Sequence, residues 1–202
     1  MKLYYSPGAC SLSPHIALKE SGLPFEAIAA PTKTHKLEDG TDYYTINPLG
    51  YVPLLVLDDG RQLHEGAAIV QYIADQVPAT NLAPVNGTYE RYKLQEWLNF
   101  IATELHKGFS PLFTPGMPEE AKAMAKARLD GRLQWVNGEL TGKSYLMGDT
   151  FSVADGYLFT VAGWTRHVGI DISGLTNLVA YMTRVGARAA VQEALRAEGL
   201  MK

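Results

Sequence analysis

The sequence predicts a chain of two parts, a small α/β unit followed by an all-helical one. Three observations carry that reading. Eight of the eleven prolines lie at or before Pro84, and none follows Pro118. Apolar runs of strand length alternate with helix-length segments only in the first part. Beyond Leu94, apolar residues recur at three- and four-residue spacing, the period of one helix face.

Composition bounds the function before any motif does. The 202 residues are 47% apolar and 19% charged, the balance of a folded chain. A chain of this length buries roughly 70% of its unfolded surface without a disulfide or metal. A net charge of −3 without basic clusters argues against a nucleic-acid partner. The first residues reach Pro7-Gly8 before any apolar core of a signal peptide. The most apolar stretches, Tyr51 to Leu57 and Tyr157 to Trp164, fall far short of the ~20 residues that span a membrane. The expectation is a cytoplasmic protein with no membrane partner, whose single cysteine closes no internal disulfide.

Leu3 to Tyr5 reads as the first strand, followed by a helix from about Ser11 to Ser21 stopped by Gly22, and a second strand over Phe25 to Ala30. Leu54 to Leu57 and Gln62 to His64 flank Asp58-Asp59-Gly60, and Asp-Gly between apolar runs signals a hairpin. A helix from Gly66 to about Gln76 completes a β-α-β, loop, β-β-α order. That order is too short for a doubly wound nucleotide fold and lacks its glycine motif, but it suits a thioredoxin-like sheet. The expected boundaries are a first domain over 1–77, a turn-rich linker over 78–87 and an all-α domain over 88–202. Within the last, Leu94/Leu98/Ile101/Leu105, Leu129/Leu133/Val136/Leu140 and Tyr157/Val161/Trp164/Val168 mark three long helices.

Cys10 lies behind Ser6-Pro7-Gly8-Ala9 at the predicted start of the first helix. Unpaired amides and the positive dipole end there stabilise a thiolate and lower a cysteine pKa below its free value of about 8.5. From position alone, a buried apolar cysteine is an equal reading. Cys10-Ser11-Leu12-Ser13 keeps the attacking position of a C-x-x-C motif without its resolving thiol, so the expected partner is a small external thiol. Val52-Pro53, at the entry to a strand, is a candidate cis bond that would turn the Val52 backbone toward an extended peptide; an ordinary trans proline is the alternative. Glu65 and the amide of Gly66 open a helix, where an amino-acid end can be held. The simpler reading is that Glu65 stabilises the helix dipole, by about 0.3–1 kcal/mol.

Asn99, Thr103, His106 and Ser110 form an uncharged stripe off the Leu94/Leu98 face, close to Phe109 and Phe113. It is either a solvated face or one wall of a cleft between the two parts, which Trp164 and His167 could close. Ser152-Val153-Ala154-Asp155 is a capping box, whose role is folding.

Taken together, the sequence resembles a bacterial glutathione transferase of the beta class. The resemblance covers the whole chain, through Met1-Lys2-Leu3-Tyr4-Tyr5-Ser6-Pro7-Gly8-Ala9-Cys10-Ser11, Asn47-Pro48-Leu49-Gly50-Tyr51-Val52-Pro53, His64-Glu65-Gly66-Ala67-Ala68-Ile69, Thr103-Glu104-Leu105-His106 and the late capping box. Gly8-Ala9-Cys10 and Glu104-Leu105-His106 resemble the beta class in particular, and within it enzymes associated with aromatic, biphenyl-type degradation. The resemblance implies a thioredoxin-like domain, an all-α domain, a homodimer and glutathione as co-substrate; no metal is expected.

Carried over residue by residue, the resemblance gives Cys10, Ser11 and His106 to the reacting sulfur. It gives His35, Lys36, Val52, Glu65, Gly66, Asn99, Thr103, Glu104 and Leu105 to the tripeptide, some of them across a dimer. Ala9, Phe109, Phe113, Trp164 and His167 would line the electrophile pocket. Three departures stand out. Gly66 occupies a position where the family usually has Ser, and the family's loop Lys matches His35 with Lys36 adjacent, so both are candidates for the glycyl carboxylate. Gly156 cannot form the usual apolar staple with Phe151, which implies a looser helix start. The implied activity is addition of the glutathione thiolate to electrophilic carbon, halogenated aromatics and dehalogenation included. The rivals are glutaredoxin-like reduction of mixed disulfides through Cys10 and a non-catalytic ligand- or protein-binding module.

Overall fold

The computed structural model describes residues 1–201, which divide into two compact units: Met1–Ala83 together with the chain from Ala187 onward, and Pro84–Gly186.

In the first unit, β1 (Lys2–Tyr5), α1 (Leu12–Ser21), β2 (Glu26–Ala29), β3 (Leu54–Val56), β4 (Gln62–Leu63) and α2 (Gly66–Gln76) follow the expected order. The sheet runs β2-β1-β3-β4. β1 is parallel to β2, with Leu3 opposite Ala27, and antiparallel to β3, with Leu3 opposite Leu55. Leu3, Leu54 and Leu55 are fully buried, as are Ile16, Leu18, Ile69 and Ile73 from α1 and α2. Burying apolar side chains of this size contributes about 1.5–3 kcal/mol each. Gly22 ends α1 in the left-handed region at φ 69°, where glycine carries no Cβ penalty.

In the second unit, α3 (Tyr89–Phe100), a π-helical turn (Ile101–His106) and α4 (Lys107–Phe113) form one helical run. α5 (Glu119–Glu139), α6 (Val153–Ala162), α7 (Thr165–Val168) and α8 (Thr176–Gly186) follow. Leu94, Leu98, Ile101, Leu105, Leu129, Leu133 and Val136 are all core residues. The third expected stripe does not lie on one helix. α6 stops at Ala162, whose carbonyl accepts the Thr165 hydroxyl at 2.8 Å, and Trp164 begins the separate α7.

The start of α6 is tightly held. The fully buried Asp155 carboxylate accepts from the Ser152 N–H and hydroxyl at 2.8 and 2.9 Å, the Leu146 N–H at 2.8 Å and the Tyr181 hydroxyl at 3.0 Å. Burial still pushes its pKa above the ordinary carboxylate value against these four bonds. Phe151, which has no apolar partner at Gly156, packs edge-on against Tyr145 at 5.7 Å.

The expected 88–202 domain is corrected at its end. α9 (Ala189–Ala197) belongs to the first unit, where it packs on α1. Val191 and Ala194 are fully buried, and Arg188 binds the Glu20 carboxylate through Nε at 2.6 Å and Nη2 at 2.8 Å. Among the described residues, no helix is long and apolar enough to cross a membrane.

Candidate active site

In the first unit, β1 runs into a loop, 6–11, that carries Cys10. The loop closes on itself: Ala9 N–H donates to the Ser6 carbonyl at 3.0 Å, and the Ser11 hydroxyl accepts from Ser6 N–H at 3.0 Å and donates to its carbonyl at 3.2 Å. Ser11 is fully buried and its only hydroxyl proton is engaged there. The hydroxyl therefore shapes the loop. The half-buried Cys10 stands in a turn two residues before the first residue of α1. Its Sγ donates to the Val52 carbonyl at 3.2 Å. Such a bond needs the neutral thiol, so ionisation releases the Val52 carbonyl to another donor.

Val52-Pro53 is cis. Asn47, buried, fixes the approach: its Nδ2 and the Tyr43 hydroxyl both donate to the Tyr51 carbonyl, at 2.8 and 2.9 Å. The Val52 N–H has no acceptor among the described residues. Glu65, exposed at the start of α2, holds φ 66° and ψ 113°, a costly conformation for a residue with a side chain, and its carboxylate has no hydrogen-bond partner among the described residues. A Cβ on Gly66 would lie an ordinary 3.8 Å from Pro53, so packing does not require glycine there. In the preceding loop, the His35 ring lies 4.5 Å from that of Tyr44 with a buried Nδ1 that has no hydrogen-bond partner among the described residues. Lys36 is exposed. Ala9, partly buried, packs against the cluster formed by Tyr4, Ala30, Tyr43, Val52 and Leu54.

In the second unit, His106 ends the π turn, a local widening often found at functional sites. Its Nδ1 lies 2.8 Å from the Tyr157 hydroxyl, and Trp164 packs edge-on to its ring at 5.0 Å. Burial, aided by the Lys107 ammonium, lowers its pKa from 6.5 to about 4, so the imidazole is neutral near pH 7. Phe109 and Phe113 meet Trp164 edge-on at 5.7 and 5.8 Å. Phe109 is fully buried, so it backs the aromatic wall that Phe113, half-exposed, presents. The Leu105 side chain lies in the core.

Asn99, Thr103 and Ser110 are exposed. Asn99 Nδ2 donates to the Gln95 carbonyl, and Thr103 Oγ1 to that of Asn99. Glu104 is engaged by Arg132 at 2.7 Å and Arg128 at 3.0 Å, and these hydrogen bonds hold its carboxyl below the usual range. His167 is exposed and accepts from Arg166 at 3.2 Å. Tyr157, Arg128 and Arg132 were not among the expected site residues. The arginines, four apart on one helix, were the visible signal for a carboxylate partner. Among the described residues there is no cluster of three or more potential metal ligands.

Comparison with known proteins gives the same picture from another direction. Residues 8–76 match the family Glutathione S-transferase, N-terminal domain, and residues 100–189 match Glutathione S-transferase, C-terminal domain. The chain is 52% identical over 201 residues to glutathione S-transferase GstA of Escherichia coli O157:H7, covering 99% of this chain and 100% of that one. Among solved structures, the ternary complex of BphK, a bacterial GST, superposes with a TM-score of 0.97 at 59% identity, covering 99% and 100% of the two chains. The beta-class glutathione S-transferase of Sphingomonas chungbukensis gives 0.96 at 51%, over the full length of both. A sphingomonad glutathione S-transferase complexed with glutathione gives 0.95 at 48%, covering 99% and 100%.

Proposed function

The chain belongs to the glutathione S-transferase family, and on that premise we propose that the first unit binds glutathione and directs its sulfur, as a thiolate, at an electrophilic carbon. The observation that carries this reading is the Cys10 Sγ 3.2 Å from the Val52 carbonyl. It puts a thiol beside backbone groups suited to an extended peptide. Glu65 would meet the γ-glutamyl amino group and the Gly66 N–H its carboxylate, at a helix start that favours an anion. His106, neutral near pH 7, would accept the sulfur's proton or hydrogen-bond the thiolate.

In the reaction, the glutathione thiol loses its proton, the C–S bond forms, and the leaving group departs with its electron pair. For a halogenated aromatic that is halide, so conjugation and dehalogenation are one step. The aromatic face of Phe113 and Trp164 suits such a substrate. A homodimer, which rests on the resemblance alone, in the cytoplasm completes the reading. The half-buried Cys10 with no second cysteine favours one further reaction, exchange of its thiolate with a glutathione disulfide.

Oxidised glutathione should add one glutathione by intact mass, with release of the other as thiol, and Cys10→Ala should abolish the adduct. The wild type should also turn over a haloaromatic electrophile. A protein that does neither overturns the proposal.

A further inference from the structure

We propose that Glu198, near the end of the chain, is a positioning residue that holds the Cys10 loop from outside, so that the thiol's chemistry depends on how the C-terminal segment seats on the first unit. The proposal rests on the reading of Cys10 as the thiol that meets glutathione.

Gly8 stands two residues before Cys10 at φ 71°, and its N–H donates to Glu198 Oε2 at 2.9 Å. The other carboxylate oxygen lies 2.8 Å from His15 Nδ1, on α1. Both side chains are essentially excluded from water. A carboxylate only accepts, so one anion gathers a donor from the loop and a donor from the helix that follows it. Moving it away from either would strand a buried charge, which is far costlier than a surface adjustment.

His15 is itself fixed, its ring 5.5 Å from those of both Tyr5 and Phe25. On the other side, Arg188 secures the start of α9 through Glu20. The chain then folds back after α9: Leu200 N–H donates to the Leu195 carbonyl at 2.8 Å. The Leu200 side chain lies 3.5 Å from where a Gly8 Cβ would be. Loop 6–11 is thus braced within itself through Ser6 and Ser11 and from without through Glu198, with the Leu200 side chain beside Gly8. A reacting group misplaced by about 1 Å can lose as much as a hundredfold in rate.

The experiment compares Glu198→Ala and Glu198→Gln with wild type. Glutamine can still accept from Gly8 N–H and can donate to the other tautomer of His15. Formation of the Cys10–glutathione adduct should slow about tenfold in Glu198→Ala, while Glu198→Gln should recover most of the rate. Hydrogen exchange should show loop 6–11 losing protection in the alanine variant only. A purely structural Glu198 would lower the melting temperature and leave the adduct rate, measured well below it, at the wild-type value; that result overturns the proposal.

If Glu198→Ala does not fold, Leu200→Ala removes the neighbouring contact and should slow the adduct severalfold, and an unchanged rate is again decisive against it. Failure of the wild type to form any adduct would count against the reading of Cys10. In that case unchanged exchange of loop 6–11 in Glu198→Ala would still overturn the role of Glu198.

Discussion

Of the acidic residues at helix starts in this chain, Asp155 and Glu65 are built in opposite ways. Asp155, in the first turn of α6, is fully buried and accepts four hydrogen bonds. Glu65, just before α2, is exposed, has no hydrogen-bond partner for its carboxylate among the described residues, and sits at φ 66°. Both are consistent with a favourable helix dipole. The difference lies in what the surroundings already supply. A carboxylate whose acceptor sites are filled by the protein has nothing left to offer a ligand, whereas one held open on a strained backbone does. The first acid therefore serves folding, and the second is the one left open for the ligand we propose.

Substitution should separate the two roles. Asp155→Ala leaves the Leu146 and Ser152 amides and the Tyr181 hydroxyl without their buried acceptor, and should cost about 3–5 kcal/mol of stability. Thermal unfolding measures this, and kcat per folded molecule should stay near wild type. Glu65→Gly should do the reverse. Glutathione affinity by calorimetry should fall at least about tenfold, while relief of the positive φ, offset by glycine's extra chain entropy, should raise stability by about 1 kcal/mol. A destabilised Glu65→Gly protein with unchanged affinity would erase the distinction between the acids.

His106 lies between these extremes, since it is both hydrogen-bonded to Tyr157 and assigned to the sulfur. His106→Ala should lower kcat by about tenfold, less than full general-base catalysis supplies. Its folded pKa of about 4 lies below the unfolded 6.5, so between those values the unfolded state binds the extra proton. Stability from the neutral imidazole is thus complete above pH 6.5 and falls as pH drops toward 4, by about 3 kcal/mol. In His106→Phe, melting temperature should vary less with pH across that window. An acid limb in the rate profile above pH 5 would then belong to a thiol, because the imidazole does not titrate there.

Much of this was legible in the sequence. Strands and helices of the first unit follow from short apolar runs, Gly22 and the Asp59-Gly60 turn, all local signals. The residues that meet across long separations were not. Nothing near His106 announces Tyr157, 51 positions later, and nothing near Gly8 announces Glu198, 190 positions later. The stripe Asn99/Thr103/His106/Ser110 was drawn for a regular α-helix. The π turn over Ile101–His106 adds a residue per turn and rotates the run, so His106 turns inward while the other three remain exposed. α9 was assigned to the second domain because helical periodicity shows that a helix has an apolar face, but not which core that face covers.

The smallest effect concerns the loop carrying His35 and Lys36, where the contrast between filled and open groups recurs in milder form. The His35 ring lies against Tyr44, and a Cβ on Gly50 would come within 3.1 Å of it, so the ring is part of the loop's packing. Lys36 is exposed and has no ion-pair partner among the described residues. By the logic that separates Glu65 from Asp155, the open cation is the one expected to meet the glycyl carboxylate of glutathione. An exposed pair is worth only about 0.2–1 kcal/mol, so Lys36→Ala should weaken glutathione binding by a factor of about two to five, and the loss should shrink at high salt. His35→Ala should act through the loop and be insensitive to salt. Calorimetry of both variants at low and high ionic strength decides between them. A salt-dependent loss in His35→Ala with none in Lys36→Ala would transfer the contact to the histidine, and packing would then have been the wrong guide to which group is open.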